Sequence, residues 1–117
     1  MKQLASILAL IVLSCGSVAL ADSSCGSGDG YSSALCSYRH GDWQAAASGF
    51  RQLVERNEPN PETMKAFYFL ARTEMKLKRW DEAQTLLIRI YTLDPPFYRA
   101  WNCDFLLGVA REGAGKG

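Results

Sequence analysis

Four cysteines, Cys15, Cys25, Cys36 and Cys103, are the side chains in this sequence best suited to covalent chemistry. Cys25 and Cys36 are separated by a stretch that contains three glycines, so the chain between them is flexible enough to close. A disulfide there would contribute roughly 3 kcal/mol in the loop-entropy model. The alternative is that both remain reduced and Cys36 packs as a small apolar residue. Cys103 lies far along the chain and is expected to be unpaired or intermolecular.

No other residue pattern predicts catalysis or metal binding. His40 is the single histidine, and it adjoins Gly41 at a predicted helix end, where we expect a capping role rather than a base or ligand. The sequence has no C-x-x-C pair, and no group of His, Cys and carboxylate residues has ligand spacing. The C-terminal Ala114-Gly115-Lys116-Gly117 lacks the strand and the Ser or Thr of a phosphate loop. We therefore predict no enzyme activity, no cofactor and no metal.

The N-terminus has the features of an export signal. Lys2 precedes an apolar stretch at 4–13, and Ala19-Leu20-Ala21 fits a cleavage site, which predicts a signal peptide over 1–21. The apolar stretch is too short to span a membrane. Alternatively, Val12-Leu13-Ser14-Cys15-Gly16 resembles a bacterial lipobox, in which Cys15 would be lipidated. The protein is then expected to be periplasmic, or anchored in the outer membrane if Cys15 carries lipid.

Without Lys2 the remaining chain carries 12 basic and 12 acidic side chains. Such a balance provides no bulk attraction for nucleic acid or for an anionic membrane. Any electrostatic preference for a partner must therefore be local.

Hydrophobic periodicity predicts five helices and no strand, which indicates an all-α fold. An irregular leader at 22–30 precedes the helical domain at 31–112, and a flexible tail follows at 113–117. Asp42 and Asp94 are expected to cap helices, the second of these opening at Pro95. The predicted helices cover about 31–40, 43 to the proline-containing break at 57–61, 61–77, 80–93 and 95–112.

A tryptophan-led segment occurs twice in the chain. Trp43-x2-Ala46-x3-Phe50-x2-Leu53 recurs 37 positions later as Trp80-x2-Ala83-x3-Leu87-x2-Ile90. Self-similarity at such a period indicates stacked repeats, each copy being one supersecondary unit. Repeats of this kind usually form surfaces that bind partners.

At these residues the chain resembles the tetratricopeptide repeat (TPR) family. Phe67-x2-Leu70-Ala71 matches the first-helix signature, and Ala83-x3-Leu87 followed by Pro95 matches the second. Trp101 lies 34 positions after Phe67, where a third first helix would begin. Glu74 departs from the family's usual Tyr, and the 37-residue spacing exceeds the usual period by three. The resemblance implies a right-handed solenoid of helical hairpins, two repeats plus a C-terminal capping helix. The alternative is an unrelated helical bundle.

The resemblance also implies a concave groove lined by the first helix of each pair. Its basic and aromatic side chains would suit an extended peptide that is acidic or ends in a free carboxylate. The alternative is an ordinary solvated surface in which Arg and Lys stems cover apolar neighbours. By register, the groove residues are Tyr38, Arg39, Lys65, Tyr68, Arg72, Lys76, Arg99 and Asn102.

The predicted last helix is more apolar than one inner face requires, and terminal repeats normally have a polar outer face. We expect this helix to contact a second copy or a partner helix, unless its side chains are buried within the chain. The residues concerned include Trp101, Phe105, Leu106 and Val109.

These patterns predict a non-catalytic protein–protein interaction adaptor, scaffold or assembly factor of the cell envelope. Two alternatives remain open. One is an outer-membrane lipoprotein that acts like a pilotin in an envelope assembly machine. The other is a non-catalytic subunit of an enzyme complex.

Overall fold

A computed structural model describes Cys25 and residues 30–56 and 61–116. The predicted signal peptide, Cys15, most of the leader and the break at 57–60 lie outside the described residues. All regular elements in the described ranges are helices, and none of them is long and apolar enough to cross a membrane. They are α1 (Tyr31–Arg39), α2 (Trp43–Arg56), α3 (Pro61–Lys76), α4 (Trp80–Leu93), α5 (Pro95–Ala100) and α6 (Cys103–Lys116).

Successive long helices pack against each other in the order α1, α2, α3, α4, α6, while the short α5 contacts α4 and α6. Two apolar clusters fill the space between them. The first surrounds Phe50 between α1, α2 and α3, and the second surrounds Leu87 between α3, α4 and α6. Val54, Phe69 and Leu86 contact both clusters, which makes one continuous core. The all-α fold of stacked TPR-like hairpins is confirmed.

The turn between α1 and α2 is a Schellman motif. The N–H of Gly41 donates to the carbonyl of Tyr38 at 3.1 Å, and the N–H of Asp42 donates to that of Ser37 at 2.9 Å. Gly41 adopts φ 76°, which glycine accepts without steric cost. The Asp42 carboxylate then accepts from the N–H of Ala45 at 3.3 Å, so it caps α2 as expected.

The same turn recurs 37 positions later between α3 and α4. The N–H of Lys78 donates to Met75 at 3.0 Å, and the N–H of Arg79 donates to Glu74 at 2.8 Å. Lys78, at φ 62°, stands where the first turn has glycine. The left-handed conformation costs an L-residue about 1 kcal/mol, because its Cβ crowds the following carbonyl. The repeat therefore includes the turn as well as the helices.

Replacing Lys78 by glycine is expected to stabilise the fold by about 1 kcal/mol, since glycine removes this Cβ crowding. The melting temperature should rise by roughly 5 °C for a domain of this size. Thermal unfolding followed by circular dichroism measures the change. Lys65→Gly within α3 is the matched control and should lower stability by about 1 kcal/mol. A destabilised Lys78→Gly variant would show that the side chain itself holds the turn.

The predicted fifth helix is two helices. Asp94 accepts from the N–H of Phe97 at 3.1 Å and caps α5 as expected, but α5 ends at Ala100 with Trp101 as its C-cap, and Asn102 adopts φ 54°. On one straight helix, the face of Phe97 and Trp101 would be about 130° from the face of Cys103 and its buried neighbours. Because the two faces contact different helices, the chain must turn between them, and Asn tolerates the left-handed conformation.

Helix α6 also differs from the prediction at its C-terminal end. It continues to Lys116, one turn beyond the expected end near Glu112, and the two side chains pair at 3.2 Å. Thus most of the residues assigned to a flexible tail belong to the last helix.

The third copy keeps the 37-residue period rather than the 34-residue one. Its buried residues in α6 lie 37 positions after buried residues of α3, so Trp101 does not begin this first helix. Helix α6 packs on α4 as the next first helix would, in the position of the predicted capping helix. The matched pairs are Ala66 with Cys103, Leu70 with Leu107, and Thr73 with Ala110.

Candidate partner-binding groove

Six aromatic rings form a continuous row across successive units of the solenoid. We call them the aromatic row; in contact order they are Trp43, Tyr38, Phe69, Tyr68, Trp101 and Phe97. The successive ring centroids lie 5.3, 5.2, 5.2, 4.9 and 4.8 Å apart. Tilted and offset contacts at these distances are favourable for aromatic pairs. The row therefore connects α1, α2, α3 and α5 along one side of the molecule.

The helices position these rings so that five of the six remain partly exposed. Tyr38 lies near the end of α1, Trp43 begins α2, and Tyr68 and Phe69 lie in the middle of α3. Tyr68 is 8% exposed, whereas the other rings of the row are half-buried. The row is therefore anchored in the core and still offers flat apolar surface to a partner.

Two cations lie over the row. The Arg72 guanidinium donates to the Tyr68 hydroxyl at 3.0 Å and lies 5.7 Å from the centroid of that ring. The Lys76 ammonium lies 5.5 Å from the Trp43 ring. Both distances are typical of cation–π contacts. In the part of the chain that the structure describes, neither cation pairs with a carboxylate, so both charges remain available to a ligand.

Burial alone would lower the pKa of Arg72, but hydrogen bonds to the tyrosine hydroxyls more than offset it. The Tyr68 and Tyr38 side chains together raise the pKa of Arg72 above its usual value. The guanidinium thus stays charged while it is partly buried against the row.

The structure brings together four of the eight groove residues predicted from the sequence: Tyr38, Tyr68, Arg72 and Lys76. Lys65 is half-buried on the same face of α3, two turns before Arg72. The remaining three are exposed, with Arg39 at the end of α1, Arg99 on α5 and Asn102 in the α5–α6 turn.

Four members of the row, Trp43, Phe69, Trp101 and Phe97, are not among the groove residues predicted from the sequence. Trp101 is instead one of the apolar residues that the sequence places in a contact with a second copy or a partner helix. A signal was present, because Phe69, Arg72 and Lys76 recur at the i, i+3, i+7 spacing of one helix face. The stacking partners on α1 and α5 become visible only in the folded chain.

Glu74, near the C-terminal end of α3, faces away from the row. Its side chain is 3% exposed, and its carboxylate pairs with Arg51 of α2 at 3.2 Å and with Arg79 at 3.4 Å. Glu74 therefore joins α2 and α3 to the α4 turn, and its charge does not neutralise the cations over the row. The family's usual Tyr is replaced here by an ionic contact.

Burial raises the pKa of Glu74 above its usual 4.5, and the neighbouring Glu82 raises it further, while Arg51 and Arg79 lower it in part. A raised pKa means that the folded state holds the proton more tightly than the unfolded chain does. The stability that Glu74 contributes is therefore fully present below the unfolded pKa and is lost as pH rises through the folded pKa.

Glu74→Gln cannot lose this proton, so the wild-type chain should lose stability relative to Glu74→Gln as pH rises from about 4 to 7. Urea unfolding of both proteins across this range measures the difference. Glu55→Gln, at an exposed carboxyl on α2, is the control and should show a smaller change. If wild type instead gains stability relative to Glu74→Gln as pH rises, the two arginines stabilise the charged carboxylate more than burial destabilises it.

A second cluster lies at the N-terminal end of the solenoid. Cys25 and Cys36 form a disulfide with a Cα–Cα distance of 5.5 Å, and the Ser33 hydroxyl donates to the Cys25 carbonyl at 3.3 Å. His40 is the C-cap residue of α1, but its Nδ1 also lies 3.5 Å from Cys25 Sγ and 3.7 Å from Cys36 Sγ. The expectation that no Cys and His residues share ligand spacing is therefore wrong.

Cys103 is unpaired and fully buried in the second cluster. Burial raises the pKa of its thiol to about 11, so it remains protonated and behaves as a small apolar residue.

Half of the apolar residues expected to contact a second copy are used within the chain. Trp101 belongs to the aromatic row, and Leu106 is half-buried against the core. Phe105 and Val109 remain 64% and 39% exposed on α6.

Comparison with known proteins agrees with this architecture. No curated protein and no solved structure matches the chain. A family model described as "Anaphase-promoting complex, cyclosome, subunit 3" matches residues 15–90. It is a TPR-type repeat family, typically non-catalytic and suggestive of a protein–protein interaction module. Since the match covers more than half of the chain and the helices stack as its repeats require, the chain belongs to this family of TPR-type proteins.

Proposed function

We propose that the protein is a non-catalytic interaction module that holds an extended acidic segment of a partner protein along the aromatic row. The observation that carries the proposal is the placement of Arg72 and Lys76 over rings of the row without carboxylate partners among the described residues. Aromatic side chains and Arg are the residues that contribute most to protein interfaces. A partner would therefore gain apolar contact and charge pairing in the same place.

The dimensions of the row suit a short extended peptide. Five ring-to-ring steps of about 5 Å span at most about 25 Å, which corresponds to roughly seven residues in extended conformation. The row crosses α1, α2, α3 and α5, so such a peptide would contact both helical pairs and the short helix that follows them. A single helix of the partner laid along the row would fit less well, because the rings present separate flat contacts.

The charges favour a carboxylate ligand. The Arg72 guanidinium uses one N–H group on Tyr68, and its remaining donors can form a bidentate pair with a carboxylate. Lys76 supplies a second positive charge one turn away. The ligand carboxylate can belong to Asp, to Glu or to the partner's C-terminus.

The proposed setting is the cell envelope, where the protein would act as an adaptor or assembly factor. The supporting features are the signal-like residues 1–21 and the disulfide, a bond favoured in oxidising compartments. Mass spectrometry of the mature N-terminus separates a soluble form that begins at Asp22 from a lipid-anchored form that begins at Cys15. A catalytic partner that co-purifies would identify the protein as a subunit of an enzyme complex.

Photo-crosslinking in the native cell tests the groove. A photoreactive amino acid is placed at Lys76, which is exposed and lies over Trp43, or at Arg39, which is exposed and follows Tyr38 on α1; the control position is the exposed Arg89 on α4. We expect discrete crosslinked partners from the two groove positions and none of these from position 89. Crosslinks that are equal at all three positions, or absent from the groove, would reject the proposal.

A further inference from the structure

The Cys25, Cys36 and His40 cluster lies outside the groove and has no part in the proposed function. We propose that, when the disulfide is reduced, these three side chains form a binding site for a thiolate-preferring metal ion such as Zn²⁺. The site would be closed in the oxidised protein, because both sulfur atoms are then bonded to each other. Reduction would thus convert a covalent tether into a metal site.

The distances fit tetrahedral coordination. With metal–sulfur and metal–nitrogen bonds of about 2.3 and 2.05 Å, ligand sulfur and nitrogen atoms in a tetrahedron lie about 3.6 Å apart. His40 Nδ1 lies 3.5 Å from Cys25 Sγ and 3.7 Å from Cys36 Sγ. The nitrogen is therefore already placed at ligand spacing from both sulfur atoms. Once the S–S bond is broken, the two sulfurs need only move apart to about 3.8 Å.

Two features other than the disulfide place the three ligands near one another. Cys36 and His40 are four residues apart at the end of α1, so both side chains face the same way. Cys25 is held by a second contact, because the Ser33 hydroxyl donates to its carbonyl. His40 is exposed and both cysteines are half-buried, so an ion can enter from solvent and the fourth coordination position remains open.

His40 must change its hydrogen bonding when it binds the ion. Its Nδ1 lies 2.8 Å from the Cys36 carbonyl oxygen and donates its proton there. In the metal-bound form the neutral imidazole carries its proton on Nε2, which leaves the Nδ1 lone pair for the metal. The hydrogen bond to the carbonyl is thereby exchanged for a metal bond.

The chemical steps balance. A dithiol reductant supplies two electrons and two protons to the Cys25–Cys36 disulfide and is itself oxidised to a disulfide. The two resulting thiols lose their protons to solvent as the metal ion binds their thiolates. Binding is therefore expected to release protons and to weaken as pH falls.

Metal titration of the full chain tests the site. The protein is reduced anaerobically with a phosphine, which does not compete as a thiol ligand, and Zn²⁺ binding is measured by calorimetry. Binding of Co²⁺ is followed by the visible absorption of tetrahedral thiolate coordination. We expect one ion per reduced chain and an affinity at least 100-fold weaker in the oxidised chain.

Variants decide which side chains bind the ion. His40→Gln is expected to weaken Zn²⁺ binding at least tenfold and Cys36→Ser at least 100-fold, while Cys103→Ala and Cys15→Ser leave it unchanged. Circular dichroism checks that the reduced chain keeps its helices. The proposal is overturned if the reduced chain binds no ion, or if the oxidised chain or His40→Gln binds as tightly as reduced wild type.

Discussion

Replacing Gly113 by alanine is expected to destabilise the protein by about 2 kcal/mol and to lower its melting temperature by roughly 10 °C. Gly113 lies in α6 directly against the Trp80 indole of α4, and an added Cβ would approach the ring atoms to 2.5–2.7 Å. No Cβ tolerates such a contact, so α6 or the indole must move, and overpacking of this kind costs about 1–3 kcal/mol. Chemical denaturation and thermal unfolding measure the loss.

Gly108 provides the matched control in the same helix. A Cβ at Gly108 meets nothing within 4 Å, so Gly108→Ala should stabilise the protein by about 1 kcal/mol through helix propensity alone. The two variants make the same chemical change five positions apart, and we expect opposite signs. A Gly113→Ala variant as stable as Gly108→Ala would show that α6 does not pack against Trp80.

The Gly113→Ala variant also tests whether the 37-residue repeat extends to α6. Lys76 lies over Trp43, and Gly113, 37 positions after Lys76, lies over Trp80, 37 positions after Trp43. Each tryptophan thus begins a second helix and is covered by the end of the next first helix. In the last copy, Gly113 lets α6 approach the Trp80 indole directly. In the earlier copy, the Lys76 side chain of α3 covers Trp43 instead.

Reversing the charges over the aromatic row is expected to abolish partner binding. In a double variant, Arg72→Glu with Lys76→Glu, the affinity for the crosslinked partner should fall at least 100-fold, or about 3 kcal/mol. The reason is that two unpaired cations become anions opposite the carboxylates of the ligand. Calorimetry or fluorescence anisotropy with the purified partner measures the change.

The control for this variant changes charge by the same amount elsewhere. Arg89 and Arg111 are exposed on α4 and α6, and neither lies over a ring of the row. Arg89→Glu with Arg111→Glu should reduce the affinity less than threefold. Equal losses in both double variants would mean that net charge matters and that the row does not select the ligand. Circular dichroism must show that Arg72→Glu keeps the fold after losing its bond to Tyr68.

The fold class was predictable because it depends on local patterns. The apolar spacing in the two tryptophan-led copies, the caps at Asp42 and Asp94 and the proline at position 95 each act over one or two helical turns. Helix boundaries up to Leu93 follow from these signals. The match of Phe67, Leu70 and Ala71 to the TPR signature predicted the stacking of the hairpins, which the family comparison confirms.

The predictions that failed are those that depend on contacts between helices. The break at Asn102 exists because Trp101 contacts Tyr68 and Phe69 of α3, whereas α6, which begins at Cys103, packs mainly on α4. These contacts cannot be read from the sequence alone. The extension of α6 to Lys116 likewise depends on Trp80, which lies more than thirty positions earlier. The prediction that Trp101 begins the third copy, 34 positions after Phe67, was wrong for the same reason.

The sequence by itself determined the all-α hairpin repeat and the basic and aromatic composition of α3, because periodicity and residue type are local properties. Only the tertiary structure decided which rings stack, that Glu74 turns away from the groove, and that His40 meets two cysteine sulfurs. Those contacts join residues from different helices or from distant positions. Their distances follow from how the helices pack, and packing is a property of the whole core.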